Sequence, residues 1–248
     1  MIRIILVLTF LILFLTLGLP VLFFGWLIKG RTGRATLEVS TAMVHWAFGI
    51  VLRLSGTDVT VEGREHIPDS EAVLYVGNHR SYFDIISTYA QLKAPAGFIA
   101  KAEMSRIPLL RFWMAKIGCL FLNRDDIKQG LKTIMDAIAQ IKGGVSVIIY
   151  PEGTRNRNED PGELLEFHEG SLKIAQKSGC RIVPVAIYGT DDIFEKHMPM
   201  IRKKKIVIRF GEPFYSKEIP EEYKKKHGLY LQELISSMIR DIERTHAA

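Results

Sequence analysis

The spacing of hydrophobic and polar positions changes rhythm twice along this 248-residue chain. Residues 4–28, IILVLTFLILFLTLGLPVLFFGWLI, contain no charged residue. As a helix, 25 residues extend roughly 37 Å, enough to cross a hydrocarbon core of about 30 Å. Gly18 and Pro20 fall near the middle and also suit a bent, half-inserted helix pair. A cleaved signal peptide is the competing reading, but the apolar run exceeds the usual ~7–15-residue core and no A-x-A-like site follows. Residues 37–54, LEVSTAMVHWAFGIVLRL, predict a second apolar or amphipathic helix. Leu37, Val44, Phe48, Val51 and Leu52 share one face, and Trp46 and Arg53 suit a lipid–water boundary. The same face also suits a core helix.

From residue 57 short β-branched runs alternate with helical stretches. Strands are predicted at DVTVEG, AVLYVG, GFIAK, CLFLNR, VSVIIY, RIVPVAIYG and KIVIRFGE, and helices at 82–92, 107–117, 126–142, 169–178 and 221–244. Apolar strands alternating with helices predict an α/β domain with a mixed, mostly parallel sheet covered on both faces. The expected division is a membrane-associated two-helix segment, 1–55, followed by an α/β domain, 56–248.

Two strand ends carry chemistry. LYVGNHRSYFDIIS, residues 74–87, runs from a strand through a turn into a helix. Ser81 and Asp84 form a capping-box pattern, which by itself explains Asp84 as a helix cap. The same geometry turns Asp84 toward His79, where a carboxylate fixes the imidazole tautomer and stabilises the imidazolium. The other ring nitrogen is then free to take a proton from a hydroxyl. No G-x-S-x-G elbow is present, and neither Cys119 nor Cys180 lies beside a plausible base. A His–Asp pair without a protein nucleophile points to a hydroxyl supplied by the substrate. VIIYPEGTRNRNED, residues 147–160, places a second turn after a buried strand. Gly153 permits close approach, and Thr154, Arg155 and Arg157 offer donors to an anion. Glu152 is expected to pair locally and orient an arginine. Lys101 and Arg124 stand at two further strand ends. In a parallel sheet all of these converge on one rim, the usual ligand site of open α/β sheets.

Charge and composition narrow the partners. The formal charge is +6 with seven histidines and two cysteines, which suits an anionic partner and reduced cysteines. The runs RKKK (202–205) and KKKH (224–227) read as solvated faces or as attraction to anionic lipid, worth about 1 kcal/mol per basic residue. No nucleic-acid motif, metal-ligand spacing, G-x-G-x-x-G or P-loop accompanies them. Lys29, Arg31 and Arg34, just past the first apolar run, favour the cytoplasmic side of a membrane.

Taken together, NHRSYFD, KAEMSRIPLLRFWMAKIGCLFLNR, YPEGTRNR and IVPVAIYG resemble the four ordered blocks of the glycerolipid acyltransferase superfamily. The resemblance covers roughly residues 57–212 and implies a glycerol-3-phosphate acyltransferase-like αβα fold. It implies His79 as catalytic base and Asp84 as its partner. It implies Lys101, Gly118 and Arg124 at the acceptor-phosphate site, Glu152, Gly153, Thr154 and Arg155 as acceptor-binding residues, and Pro184 near the acyl donor. In the branch most similar to this chain, the reaction joins a fatty acyl group to the free hydroxyl of 1-acyl-sn-glycerol-3-phosphate (lysophosphatidic acid), giving phosphatidic acid. The donor is a thioester of acyl carrier protein or coenzyme A, a co-substrate, so neither a cofactor nor a metal is called for. Glycerol-3-phosphate or a lysophospholipid as acceptor, or a non-catalytic membrane-tethered lipid-binding protein, are the alternatives. The family often has Phe-Lys-x-Gly after the third block, and here His168 replaces the lysine. IPLLRFWMAKIGCLFL is apolar enough to wall an acyl pocket, and equally apolar enough for core.

Overall fold

The computed structural model describes residues 1–29 and 33–246, without the side chains of 21 and 24–29. Helices α1 (Ile2–Lys29) and α2 (Gly33–Ser55) form a hairpin. Both are long and apolar enough to cross a membrane. Pro20 lies inside α1 and does not end it. The segment is one continuous helix there and not a pair of separate helices. Val44, Val51 and Leu52 are buried on the face the heptad-like spacing predicts. The opposite surface of the hairpin stays apolar and open: Ile12 is 62% exposed, Leu17 65% and Trp46 60%. Exposure of that much contiguous apolar surface marks a membrane or partner contact. Arg31 and the Lys29 side chain lie outside the described residues, and Arg34 pairs with Glu38 at 3.3 Å.

The remaining elements are β1 (Asp58–Glu62), β2 (Leu74–Gly77), α3 (Tyr82–Tyr89), β3 (Ala96–Lys101), α4 (Pro108–Lys116), β4 (Leu120–Leu122), α5 (Ile127–Lys142), β5 (Ser146–Ile149), α6 (Glu169–Ser178), β6 (Arg181–Tyr188), β7 (Lys205–Phe210), β8 (Phe214–Tyr215) and α7 (His227–His246). The sheet order is β1-β7-β6-β2-β5-β3-β4, with β8 paired to β6. Strands β6, β2, β5, β3 and β4 run parallel, and β7 and β8 run antiparallel to β6. Every residue of β2 and β5 is buried, as expected for central strands covered on both faces. Alternate residues feed two cores. Leu74, Val76, Val147 and Ile149 pack with residues of α5, α6 and α7. Tyr75, Ile148, Val183 and Val185 pack toward α2, α3 and α4.

That second core crosses the boundary expected at residue 56. Leu22 of α1 and Val44 of α2 share it with Trp113 of α4. The Trp113 indole N–H donates to the Leu15 carbonyl at 3.0 Å. Gly18 makes the approach possible, since a Cβ there would sit 2.5 Å from the Trp113 ring. Gly18→Val is therefore expected to destabilise the protein by about 1–3 kcal/mol through overpacking, read as a lowered denaturation midpoint in detergent. An unchanged midpoint would show that the hairpin does not seat on α4.

Candidate active site

Strand β2 ends at Gly77 and hands the chain to Asn78, which acts as one more rung of the sheet. Its side-chain amide donates to the Ile187 carbonyl at 2.9 Å and its oxygen accepts from the Ile187 N–H at 2.8 Å. The next residue, His79, is thereby held at the carboxyl end of β2. Helix α3 starts three residues later with the predicted capping box: Ser81 Oγ accepts from the Phe83 N–H, and Asp84 accepts from the Ser81 N–H.

Asp84 has no exposed surface and is fully occupied. One oxygen, Oδ2, accepts from His79 Nδ1 at 2.8 Å, the Arg80 N–H at 2.6 Å and the Ser81 N–H at 2.7 Å. The other, Oδ1, accepts from Thr190 Oγ1 at 2.5 Å. Capping and imidazole orientation are thus one arrangement. The His79 ring stacks on Tyr150, centroids 4.7 Å apart and planes within 18°. Its Nε2 makes no hydrogen bond among the described residues, and the side chain keeps 16% of its surface open. An imidazole oriented through Nδ1 and open at Nε2 is configured to accept a proton.

Glu152 does not orient an arginine as expected. It reaches inward and accepts the His79 N–H at 2.6 Å and the Leu165 N–H at 3.0 Å. Short, buried and acceptor-only, it satisfies two backbone donors that have no strand partner. Burial pushes its carboxyl up from 4.5 to about 6, against the lowering effect of those two N–H groups. The unfolded chain then releases this proton first, so the contribution of Glu152 to stability falls as pH rises from about 4.5 to 6 and is level above that. The change is worth about 2 kcal/mol. In urea titrations, wild-type stability minus that of Glu152→Gln is expected to decrease by about that much between pH 4 and 7. A difference that grows with pH would contradict burial as the dominant influence.

Arg155 is oriented instead by Glu195, at 3.2 Å, and its guanidinium lies 4.1 Å above the Tyr82 ring. Glu195 also accepts from Ser81 Oγ at 2.6 Å and from the Tyr82 N–H at 2.8 Å. Behind it, the buried Arg80 pairs with Asp191 at 2.9 Å. Sequence reasoning did not single out Arg80, Tyr150, Thr190, Asp191 or Glu195. The available signal was the acidic stretch GTDDIFE, which leaves β6 at the same rim.

Lys101, Arg124 and His168 line a cleft of about 300 Å³ together with Ile99, Leu122 and Ile149. Strands about 4.8 Å apart put β4 roughly 14 Å from β2, yet Arg124 reaches back across the rim. Its guanidinium lies against Gly153, where a Cβ would come within 2.2 Å. Gly153 also holds a φ of +75°, which disfavours any other residue. One loop thus joins the parts: Tyr150 stacks on the His79 ring, Glu152 takes the His79 N–H, and Gly153 seats Arg124. Thr154 is exposed and lines no part of this cleft. Gly118 stands apart. It precedes β4 at the amino end, with its carbonyl against Gly97, four residues before Lys101 on β3. The cause is strand direction: a residue before a parallel strand lies on the opposite rim from a residue after it. Pro184 is mid-strand in β6 against Gly211 and Met238, removed from His79.

Residues 58–188 match the model of the Acyltransferase family, more than half of the chain. The chain belongs to the acyltransferase family. A 1-acyl-sn-glycerol-3-phosphate acyltransferase of Borreliella burgdorferi is 32% identical over 204 residues, 82% of this chain and 77% of that protein. A protein of the same name from Chlamydomonas reinhardtii is 33% identical over 136 residues, but the chain spans only 40% of its length. The crystal structure of the 1-acyl-sn-glycerophosphate (LPA) acyltransferase PlsC from Thermotoga maritima superposes with a TM-score of 0.76 at 27% identity. The match covers 97% of each chain. At this rim the chain presents an imidazole open at Nε2 and a cleft lined by Lys101 and Arg124.

Proposed function

We propose that this acyltransferase moves a fatty acyl group from a thioester of acyl carrier protein or coenzyme A to the free hydroxyl of lysophosphatidic acid. The product is phosphatidic acid. What supports this most is one juxtaposition: the open Nε2 of an Asp84-anchored imidazole stands on the same rim as the Lys101–Arg124 cleft. In this reading the acceptor's phosphate binds Lys101, Arg124 and Arg155. Its hydroxyl proton passes to His79 Nε2, and the oxygen attacks the thioester carbonyl carbon. The carbon–sulfur bond breaks as the tetrahedral intermediate collapses, and the same imidazolium protonates the departing thiolate. Asp84 stabilises the transient positive charge.

The exposed apolar hairpin belongs to the same reading. Drawing a sixteen-carbon chain out of an apolar phase costs about 0.8 kcal/mol per CH₂, roughly 12 kcal/mol. An enzyme seated on the bilayer at its cytoplasmic face never exposes that chain to water. A panel of acceptors assayed with one donor tests the proposal: lysophosphatidic acid is expected to outpace glycerol-3-phosphate and lysophosphatidylcholine. Equal rates with the choline ester, whose phosphate is an internal diester with a single negative charge, would refute recognition of a terminal phosphate by this cleft. Arg155→Ala is expected to raise the acceptor KM roughly tenfold, the loss of one charge-assisted bond, with kcat much less affected. An unchanged acceptor KM would remove Arg155 from that role.

A further inference from the structure

Tyr150 touches both halves of the site, and the proposed reaction gives it no task. It follows β5 directly, lines the Lys101–Arg124 cleft and stacks on the His79 ring, with centroids 4.7 Å apart and planes within 18°. Gly77 leaves room for the ring, since a Cβ there would come 3.1 Å from Tyr150 Cε1. The side chain also packs against the core shared with the hairpin. Its hydroxyl is buried beside Thr88, outside hydrogen-bond geometry. A buried hydroxyl without a partner adds no stability. What this position presents to the site is the ring.

Asp84 meets the imidazole at its edge, through Nδ1, and Tyr150 meets its face. The two contacts constrain different motions. A hydrogen bond at one edge lets the ring rock about that bond, and a flat neighbour stops the rocking. They also differ in when they act. The π face of an aromatic ring attracts a cation placed over it. A base is neutral before it takes the acceptor's proton, and the imidazole is positive afterwards. The attraction therefore grows toward the transition state, and only interactions that grow there speed the chemical step. We propose that Tyr150 is a positioning residue for the base: its ring fixes the plane of the His79 imidazole, and its π face stabilises the imidazolium formed during transfer. The inference rests on the reading of His79 as the base.

Fluorine withdraws charge from the face of a ring and leaves its shape nearly unchanged. The test is therefore a series at this position: Tyr150→Phe, then phenylalanine bearing one, two and three ring fluorines. Tyr150→Phe is expected to keep kcat within about twofold of wild type, because it removes only the partnerless hydroxyl. Across the fluorinated series kcat is expected to fall stepwise, by about 2- to 30-fold in all. The acceptor KM and the unfolding midpoint should stay nearly constant. A flat kcat would overturn the proposal, since packing alone does not respond to the charge on a ring face. So would a Tyr150→Phe protein as slow as His79→Ala, which would give the task to the hydroxyl. In a His79→Ala background the residual rate is expected to be flat across the series, and a stepwise fall there would show that the ring acts without His79. Normal turnover by His79→Ala itself would remove the base on which the inference rests. A flat series beside an inactive His79→Ala would sink the role of Tyr150 alone.

Discussion

His79→Ala is expected to lower kcat by at least ~10²–10⁴-fold, the usual contribution of a positioned general base. The fold should survive. The side chain contributes one hydrogen bond, to an Asp84 carboxylate that keeps three other donors. The stability loss is therefore on the order of 1 kcal/mol. The check is product formation measured alongside a chemical unfolding curve. Near-normal rates in the folded variant would take His79 out of the chemistry, and loss of folding would make the residue structural.

Asp84→Asn is expected to damage both properties. A carboxylate here receives four donors in a site without exposed surface. An amide has one acceptor oxygen and brings two donors of its own. Either the new NH2 faces the Arg80 and Ser81 N–H groups, or the Thr190 hydroxyl must turn to accept from it and gives up its own acceptor, and an unmatched buried donor costs about 1–3 kcal/mol. The imidazole loses its orienting acceptor as well, so kcat is expected to fall toward the His79→Ala level. The two losses separate experimentally. His79→Ala should be inactive at nearly full stability, and Asp84→Asn inactive at clearly reduced stability. A stable Asp84→Asn protein would show that the capping role was overstated, and an active one would show that His79 needs no carboxylate.

Most of the α/β framework was legible because its signals are local. The apolar runs at residues 74–77 and 146–149 are strands fully buried in the sheet. The Ser81–Asp84 spacing is the capping box found at α3. Two strand pairings lay beyond reach. The two-residue β8 is too short to leave a pattern, and the antiparallel placement of β7 is set by tertiary packing.

The candidate site was legible only as far as single strand ends allow. His79 and Asp84 are five residues apart and meet through local backbone geometry. Glu152 and Arg155 depend on distant partners. Asp191 and Glu195 arrive at the rim from beyond β6, so Glu195 takes the arginine that local reasoning had assigned to Glu152. Gly118 was misplaced because its block spans a whole strand, and the two ends of that strand lie on opposite rims. The hairpin shows the same limit: its apolarity was plain, but the Gly18–Trp113 seat joining it to the enzyme core was not.

The central claim is that one rim delivers an anionic acceptor to His79 hydroxyl-first. The most direct measurement is a crystal structure of the wild-type protein with lysophosphatidic acid and no donor. The account predicts the phosphate against Lys101 and Arg124, and the free hydroxyl oxygen within about 2.6–3.2 Å of His79 Nε2. A phosphate seated elsewhere, or a hydroxyl turned away from the imidazole in a fully occupied complex, would contradict it.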